Sequence, residues 1–456
     1  MSLITIYITN YNYGNFIQDA IESVISQEGV DFELLIIDDG STDNSKDIIE
    51  RYRSVENVTI IYQKNKGLNV TNNVALDLAR GKYIMRLDAD DYLAPKALKK
   101  LSAELDADEE MGLVFPDYYT VDINGKILDH YKRHDFKKEV TLYDQAAHGA
   151  CTMIRVRYLK ELGGYNENYK CQDGYELWIK FTNKYKVVNI AEPLFYYRQH
   201  GSNLTSNENK ILGTRAQINA DYVQELNINN TSIAIIPVRS KRDLYYKLEL
   251  NNSSLLDIKI RQALAAKSIS KVIISSPDEE VKHTISAELL QNVKCSFHLR
   301  SQGLAQYSTS LAGTATEILS TVDKPSKKGL SAFVLLDLRF PLISSIKIDD
   351  AVNTMLLFRA NSLISVRSDN SLYYKHDGSG MKAILNQDTV QKMEREVLYK
   401  HVGGITVCDY KSFLSNDEII HGKVGHMVLD KNSAYIIENK ADLKIVESIN
   451  EIHQIV

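Results

Sequence analysis

At 456 residues the chain is too long for one ordinary hydrophobic core, and length alone points to two or three domains. Hydrophobic content of 44% and charged content of 25% are those of a soluble globular protein. A formal net charge of −5 gives no global attraction to nucleic acid or anionic lipid, so a phosphate-bearing ligand has to be met locally and no nucleic-acid partner is expected.

The first residues, Met1-Ser2-Leu3-Ile4-Thr5-Ile6, enter a strand directly, without the basic, apolar and cleavage-site order of a leader. No apolar run approaches the length that spans a bilayer. Short β-branched or aromatic runs at 3–9, 33–37, 58–63 and 83–87 read as strands. Between the first two, Phe16, Ala20, Ile21, Val24 and Ile25 recur at helical spacing. This alternation of strand and helix predicts an α/β domain with a largely parallel sheet and with ligands at the carboxyl ends of its strands. Asp38-Asp39 and Asp88-Ala89-Asp90-Asp91 both fall at such ends. Side chains two apart in a strand share a face, so Asp88 and Asp90 can converge, with Arg86 the only nearby group that neutralises them. Converging carboxylates repel unless a hard cation lies between them, and Mg²⁺ or Mn²⁺ is commonly held by one or two carboxylates plus phosphate. The competing reading is a solvated acidic turn ahead of a helix that begins near Pro95.

Composition shifts after His200. Residues 201–231 are rich in Asn, Ser and Thr around one helix at 210–226, which reads as a linker. A fresh strand opens at 232–237, and further strands are expected at 271–275, 332–336, 362–366, 423–429 and 434–437. These make a second α/β domain. Cys151, Cys171, Cys295 and Cys408 are scattered with no Cys-x-x-Cys pair, so neither a zinc site nor a disulfide scaffold is indicated and a reducing cytoplasm is expected.

Several segments of the first half share one further pattern. Thr9-Asn10-Tyr11-Asn12, the run Gln18 to Gln27, and Phe32 to Asp43 with its Asp38-Asp39-Gly40-Ser41 core come first. Asn65-Lys66-Gly67, Ala79-Arg80-Gly81-Lys82-Tyr83-Ile84, the acidic triplet, Gly163-Gly164-Tyr165 and Gln172-Asp173-Gly174-Tyr175-Glu176-Leu177-Trp178 follow. In this order and spacing, over about residues 3–203, the chain closely resembles family 2 glycosyltransferases. The resemblance implies a GT-A fold, an inverting metal-dependent transfer and an expected domain at 1–205, followed by a linker at 206–230. It assigns Asp39 to the nucleotide base, Asp88 to the ribose, and Asp90 to Mn²⁺ or Mg²⁺, which neutralises charge on the departing diphosphate. Thr9 and Tyr11 join the donor side, where the Tyr11 ring offers a face for the base. Asp38 and Asp43 have a plainer reading as caps of the helix after Gly40-Ser41-Thr42.

Transfer also needs a base for the acceptor hydroxyl. The resemblance puts a carboxylate just before the Leu-Trp helix, which is Asp173; strict alignment on Tyr175-Glu176-Leu177-Trp178 puts Gly174 there, so the register is open. Glu176 and Trp178 are read as orienting the helix, with Trp178, the only tryptophan, either filling the core or stacking on a sugar. Tyr196-Tyr197-Arg198-Gln199-His200 resembles the family's closing Tyr-Arg-x-His segment, which puts Arg198 on the donor phosphates and His200 at the diphosphate or the metal. One departure matters: the usual Ala-Arg-Asn reads Thr71-Asn72-Asn73 here, which removes a cation and leaves the base, usually uracil, open.

In the second half, Ile233-Ala234-Ile235-Ile236-Pro237-Val238-Arg239-Ser240-Lys241-Arg242, then Val272 to Glu280, Phe333 to Leu336, and Ala441-Asp442-Leu443 are similar to acylneuraminate cytidylyltransferases. The implied domain is 231–456, and the fold class is α/β with two Rossmann-like nucleotide-sugar-binding domains. The losses fall on the chemistry: the loop lacks its glycine, and Ile436-Ile437-Glu438 stands where the family has an acidic metal pair. Arg239, Lys241 and Lys247 remain as a candidate anion site or a solvated basic loop.

Three functions follow from these readings. The first is a glycosyltransferase moving a sugar from a nucleotide-sugar, expected to be a UDP-sugar, to a glycan or lipid-linked glycan in surface-polysaccharide synthesis. It would lie in the cytoplasm or at the inner membrane face, with a homodimer through the second domain left open. The second adds CMP-nonulosonate synthesis, and the third is a non-catalytic scaffold.

Overall fold

The computed structural model describes residues 3–132, 149–200, 208–239, 244–306, 309–322, 329–369, 371, 373–383 and 398–453. The chain divides into two compact units, Met1–Thr214 and Arg215–Val456.

The first unit runs β1 (Ile4–Asn10), α1 (Ile17–Ile25), β2 (Phe32–Asp38), α2 (Ser45–Ile49), β3 (Val58–Tyr62), α3 (Leu68–Leu78) and β4 (Tyr83–Asp88). It continues with β5 (Tyr92–Leu93), α4 (Ala97–Ala107), β6 (Met111–Val121), β7 (Ile127–Tyr131), β8 (Met153–Arg155), α5 (Val156–Glu161), α6 (Asp173–Lys184) and β9 (Lys186–Arg198). Its sheet has the order β3-β2-β1-β4-β8-β6-β9-β5, with β7 on β6. The first four strands are parallel, as the strand–helix alternation predicts. Beyond β4 the sheet is mixed, because β8 runs antiparallel to both β4 and β6.

Period-2 and period-3.6 patterns build the two faces of this sheet. Ile4, Ile6 and Ile8 of β1 point into one core with Ile17, Ala20, Ile21 and Val24 of α1 and Leu98, Leu101 and Leu105 of α4. Tyr7 points to the other face, among Ala75 and Leu76 of α3 and Leu177, Trp178 and Phe181 of α6. Trp178 packs edge-on against Phe115, ring centroids 5.6 Å apart, and is buried. It belongs to the core, in keeping with the first of its two sequence readings. Register then fixes the site edge: Asn10 pairs with Asp38, and Thr9 with Asp88, so the carboxyl ends of β1, β2 and β4 share one rim.

The second unit is also α/β. Its strands lie in the order Cys295–Leu299, Ile269–Ser276, Ser232–Pro237, Ala332–Leu336, Leu398–Asp409, Ser362–Asp369 and Val424–Val428. The first four are parallel, and Leu398–Asp409 runs antiparallel to its neighbours. Residues 434–437, expected as a strand, are not one. Asp430 accepts the amides of Asn432 and Ser433 and its carbonyl accepts that of Ala434, which sets a turn. The Ile437 amide then bonds the Arg339 carbonyl instead of a ladder partner. The Asn-rich segment read as a linker carries the helix α7 (Glu208–Glu225). In its second half Ile218, Tyr222 and Val223 are buried, and Asn219 donates to Asp350 and Thr354 of the second unit. Among the described residues no helix is long and apolar enough to cross a membrane.

Candidate active site

The rim formed by β1, β2 and β4 collects most of the residues singled out in the first half. Asp38 is buried and closes its own turn. It accepts Asn10 Nδ2 at 2.7 Å and the Ser41 amide at 2.9 Å. Gly40 follows at φ +84°, where an added Cβ would lie 2.8 Å from the Asn65 amide nitrogen, so only glycine suits this crossing. Asp43 accepts the amides of Gly14 (2.8 Å) and Ser45 (3.0 Å), and thus anchors the start of α2 as the plainer reading holds. Asp39 makes three contacts with one loop: Lys66 and Gly67 donate their amides at 2.9 Å each, and Gln63 Nε2 donates at 2.7 Å. Asp39 therefore shapes the Asn65–Lys66–Gly67 turn from which α3 starts. Thr9 is half-buried at the rim, and Tyr11 stands beside it 48% exposed.

The acidic turn after β4 grades from open to closed. The Asp88 side chain is 27% exposed, Asp90 is nearly buried, and Asp91 is fully buried, accepting the Arg198 amide at 2.9 Å. Asp90 Oδ2 lies 2.8 Å from His200 Nε2. His200 stacks on Phe16, centroids 5.3 Å apart, and meets Tyr13 edge-on at 5.6 Å. Burial and the Asp88 charge raise the Asp90 carboxyl above the usual carboxylate range, with His200 opposing them. Burial likewise raises Asp91 well above that range, with the Asp90 and Asp88 charges adding to it. A crowded, desolvated carboxylate beside an imidazole is a donor set that suits Mn²⁺ or Mg²⁺ completed by water and phosphate oxygens. Among the described residues there is no group of three or more His, Cys, Asp or Glu that could hold a metal by itself.

Arg198 departs from its expected role as an open phosphate ligand. It is buried, and its guanidinium bonds the Asp90 carbonyl (3.0 Å), the Ile123 carbonyl (2.7 Å) and Asp19 Oδ2 (2.7 Å). It also lies over the Phe16 ring at 4.9 Å. The side chain ends β9 inside the protein and braces the acidic turn from behind.

Asp173 opens α6 directly after Gln172, which takes a left-handed φ of +66° and swings the chain into the helix. It is buried and ion-paired to Arg86 Nη1. Arg86 Nε lies 2.8 Å from Asp88 Oδ1, at ion-pair distance but not aligned as an N–H···O hydrogen bond. One guanidinium thus bridges Asp88 and Asp173, the two carboxylates expected from the sequence at the ribose and at the acceptor. Asn72 Nδ2 reaches Asp173 Oδ2 at 3.5 Å, and Tyr7 Oη donates to Asn72 Oδ1 at 3.1 Å. Gly149 covers the pair: a Cβ there would come within 2.5 Å of Arg86 Nη2 and 3.0 Å of Asp173 Oδ2. Glu176, one turn on, pairs with Lys180 at 2.7 Å and accepts the Asn166 amide at 3.2 Å, orienting the helix as its sequence reading holds.

Sequence reasoning singled out Asp173, Asp88 and Asp90 but gave no role to Asn72, Tyr7 or Gly149. Arg86 carried a usable signal, since it precedes Asp88 by two residues on one strand and must share its face. In the second unit the predicted cations do not form one described cluster. Lys241 lies outside the described residues, and Lys247 sits over the Tyr246 ring at 5.5 Å. Arg239 is close enough to the buried Arg300 that, after burial itself, its charge helps lower the Arg300 guanidinium below its ordinary range.

The family model for Glycosyl transferase family 2 matches residues 5–163. An uncharacterized glycosyltransferase of Methanocaldococcus jannaschii is 32% identical over 205 residues, covering 43% of this chain and 70% of that relative. A chondroitin synthase of Pasteurella multocida is 29% identical over 233 residues, 49% of this chain. A putative teichuronic acid biosynthesis glycosyltransferase of Bacillus subtilis is 27% identical over 212 residues, 45% of this chain and 82% of the relative. The matched part of this chain spans 24% of the length of the chondroitin synthase.

Proposed function

Because this chain belongs to glycosyl transferase family 2, we propose that its first unit moves a sugar, with inversion at the anomeric carbon, from a nucleotide-sugar to a hydroxyl of a growing surface glycan. The relatives named as a chondroitin synthase and as a putative teichuronic acid biosynthesis glycosyltransferase support polysaccharide synthesis as the setting. The observation that carries the reading is the single Arg86 bridge between Asp88 and Asp173. It brings a donor-side carboxylate and a candidate base into one contact network at the carboxyl rim of the sheet.

In this reading the exposed Tyr11 ring stacks on the donor base, with UDP-sugars expected, while Asp39 and the amide-bearing Asn65–Gly67 turn border the nucleotide. Asp88, the most open of the three turn carboxylates, takes a ribose hydroxyl. Asp90 and His200 would hold Mn²⁺ or Mg²⁺, whose Lewis acidity neutralises charge on the leaving diphosphate. Asp173 accepts the proton of the acceptor hydroxyl as its oxygen bonds to the anomeric carbon and the carbon–phosphate-oxygen bond breaks. The acceptor class is a glycan or lipid-linked glycan. Four unpaired cysteines support a reducing, cytoplasmic setting, with the acceptor met at the inner membrane face.

The experiment is a donor screen with the full chain and Mn²⁺ across UDP-, GDP-, dTDP- and CMP-sugars, reading nucleotide release with and without chelator. Turnover of a UDP-sugar that chelation abolishes and Asp90→Ala removes is the expected result. A wild-type chain inert toward every donor, or an Asp90→Ala variant that keeps full rate, would overturn it.

For the second unit we infer a cytidylyltransferase-like module that no longer transfers nucleotides. Its four parallel strands support the likeness, and residues 434–438, which carry the one acidic residue where the family has a pair, form no strand. Arg239 beside the buried Arg300 would still favour an anion. Pyrophosphate release from CTP and a nonulosonic acid would contradict the loss of activity, and sedimentation of the full chain tests a dimer through this unit.

A further inference from the structure

We propose that Arg86 is a positioning residue for transfer, one that aims Asp173 at the acceptor and ties its placement to the donor carboxylate Asp88. The inference rests on the reading of Asp173 as the base. Arg86 lies on β4 two residues before Asp88, so strand geometry sends both side chains to the same face. Its guanidinium is buried and is engaged on two edges, with Nη1 on Asp173 and Nε toward Asp88 at 2.8 Å. Among the described residues no other cation makes an ion pair with either carboxylate.

The titratable groups around Asp173 come from β4 (Arg86), β1 (Tyr7), the segment before α6 (Tyr165) and α6 itself (Glu176). Asn72 of α3 adds an uncharged amide. Burial pushes the Tyr165 phenol up to about 12 and the Tyr7 phenol well above its ordinary value, so neither supplies charge at neutral pH. Glu176 is occupied by Lys180. The direction in which Asp173 points is therefore set by Arg86, and the absence of a side chain at Gly149 is what lets the guanidinium and carboxylate sit where they do. A planar guanidinium can hold one carboxylate by a directed hydrogen bond while its other edge faces a second, whereas an ammonium is a point charge that fixes no angle.

Losing the contact to Asp173 lowers kcat, and losing the contact to Asp88 raises the donor KM. Arg86→Met should lower kcat roughly 100-fold, the scale of misplacing a reacting group by about an ångström. Arg86→Lys should recover part of kcat while leaving the donor KM raised. Because Arg86 acts through Asp173, adding Arg86→Lys or Arg86→Met to Asp173→Asn should change the residual kcat by less than about threefold. A merely structural lesion would instead multiply with Asp173→Asn.

The test is steady-state transfer by the full chain for the two single variants at Arg86, for Asp173→Asn and for the double variants, with circular dichroism on each. Folded single variants with wild-type kcat and KM, or doubles whose losses multiply, would overturn the role of Arg86 while Asp173→Asn stays impaired. If Asp173→Asn itself transfers at the wild-type rate, the base assignment fails instead. Should Arg86→Met not fold, Arg86→Lys alone and with Asp173→Asn decides the question.

Discussion

Gly149→Ala is the smallest change that reaches the chemistry. The added methyl carbon would stand 2.5 Å from Arg86 Nη2 and 3.0 Å from Asp173 Oδ2, where ordinary contact begins near 3.4 Å. The guanidinium must therefore retreat by about 1 Å, a displacement that costs roughly 10²-fold when it moves a reacting group, or about 2.7 kcal/mol of transition-state stabilisation. Overpacking of this size also costs about 1–3 kcal/mol of stability, a fraction of what a domain this large possesses. The expected outcome is a folded protein with unchanged far-ultraviolet circular dichroism and a modestly lowered Tm. Its transfer rate should be about two orders of magnitude down. The assay is initial-rate sugar transfer alongside thermal unfolding. A Gly149→Ala variant with full transfer rate would refute the reasoning, since it would mean that the Arg86–Asp173 contact can move without consequence.

Two other outcomes follow from contacts elsewhere. Asp39→Ala leaves the Lys66 and Gly67 amides without their acceptor, at about 1–3 kcal/mol for each unsatisfied donor that stays buried. The donor KM should rise by at least tenfold with a lowered Tm, and unchanged nucleotide affinity by calorimetry would contradict this. In the second unit Lys259 is buried, its Nζ donating to the Phe340 carbonyl at 2.8 Å, and burial brings its ammonium down to about 7. An unfolded lysine titrates near 10.4, so between about pH 7 and 10 the unfolded chain holds a proton that the folded chain lacks, and folding gains stability as pH rises. The stability of wild type relative to Lys259→Met should accordingly grow from pH 7 to pH 10, by up to about 1.4 kcal/mol per pH unit, in denaturant titrations at each pH. A difference that stays flat across that window would refute the buried neutral lysine.

The parallel half of the first sheet was legible because its strands carry an unambiguous signal. Ile4, Ile6 and Ile8 alternate, α1 repeats its apolar residues at helical spacing, and β2 and β4 end in carboxylates. The rest of that sheet was harder to read. β8 is only three residues long, and β6 and β9 interleave aromatic with polar residues without a clean period. The strand expected at 434–437 failed because turn chemistry at Asp430 outweighed β propensity. In the site, motif residues were visible one at a time, but contacts between them were not. Arg198 looks in sequence like a free cation after an aromatic pair, yet β9 carries it inward beneath the acidic turn. Asn72 and Gly149 have no chemistry of their own to announce them; their importance comes from what the fold places against them. Arg86 is the intermediate case, since its face was predictable while its second partner, Asp173, lies far along the chain.

The most direct test of Asp173 as the transfer base is the single-turnover rate of Asp173→Asn, with the donor nucleotide-sugar bound and the glycan acceptor saturating. Asparagine keeps the size of the side chain but cannot take the acceptor proton, so donor affinity should stay within a few-fold of wild type while the rate of glycosidic bond formation falls about 10²–10⁴-fold. Bond formation at the wild-type rate in this variant would contradict the assignment of Asp173 and, with it, the chemistry read into the Arg86 bridge.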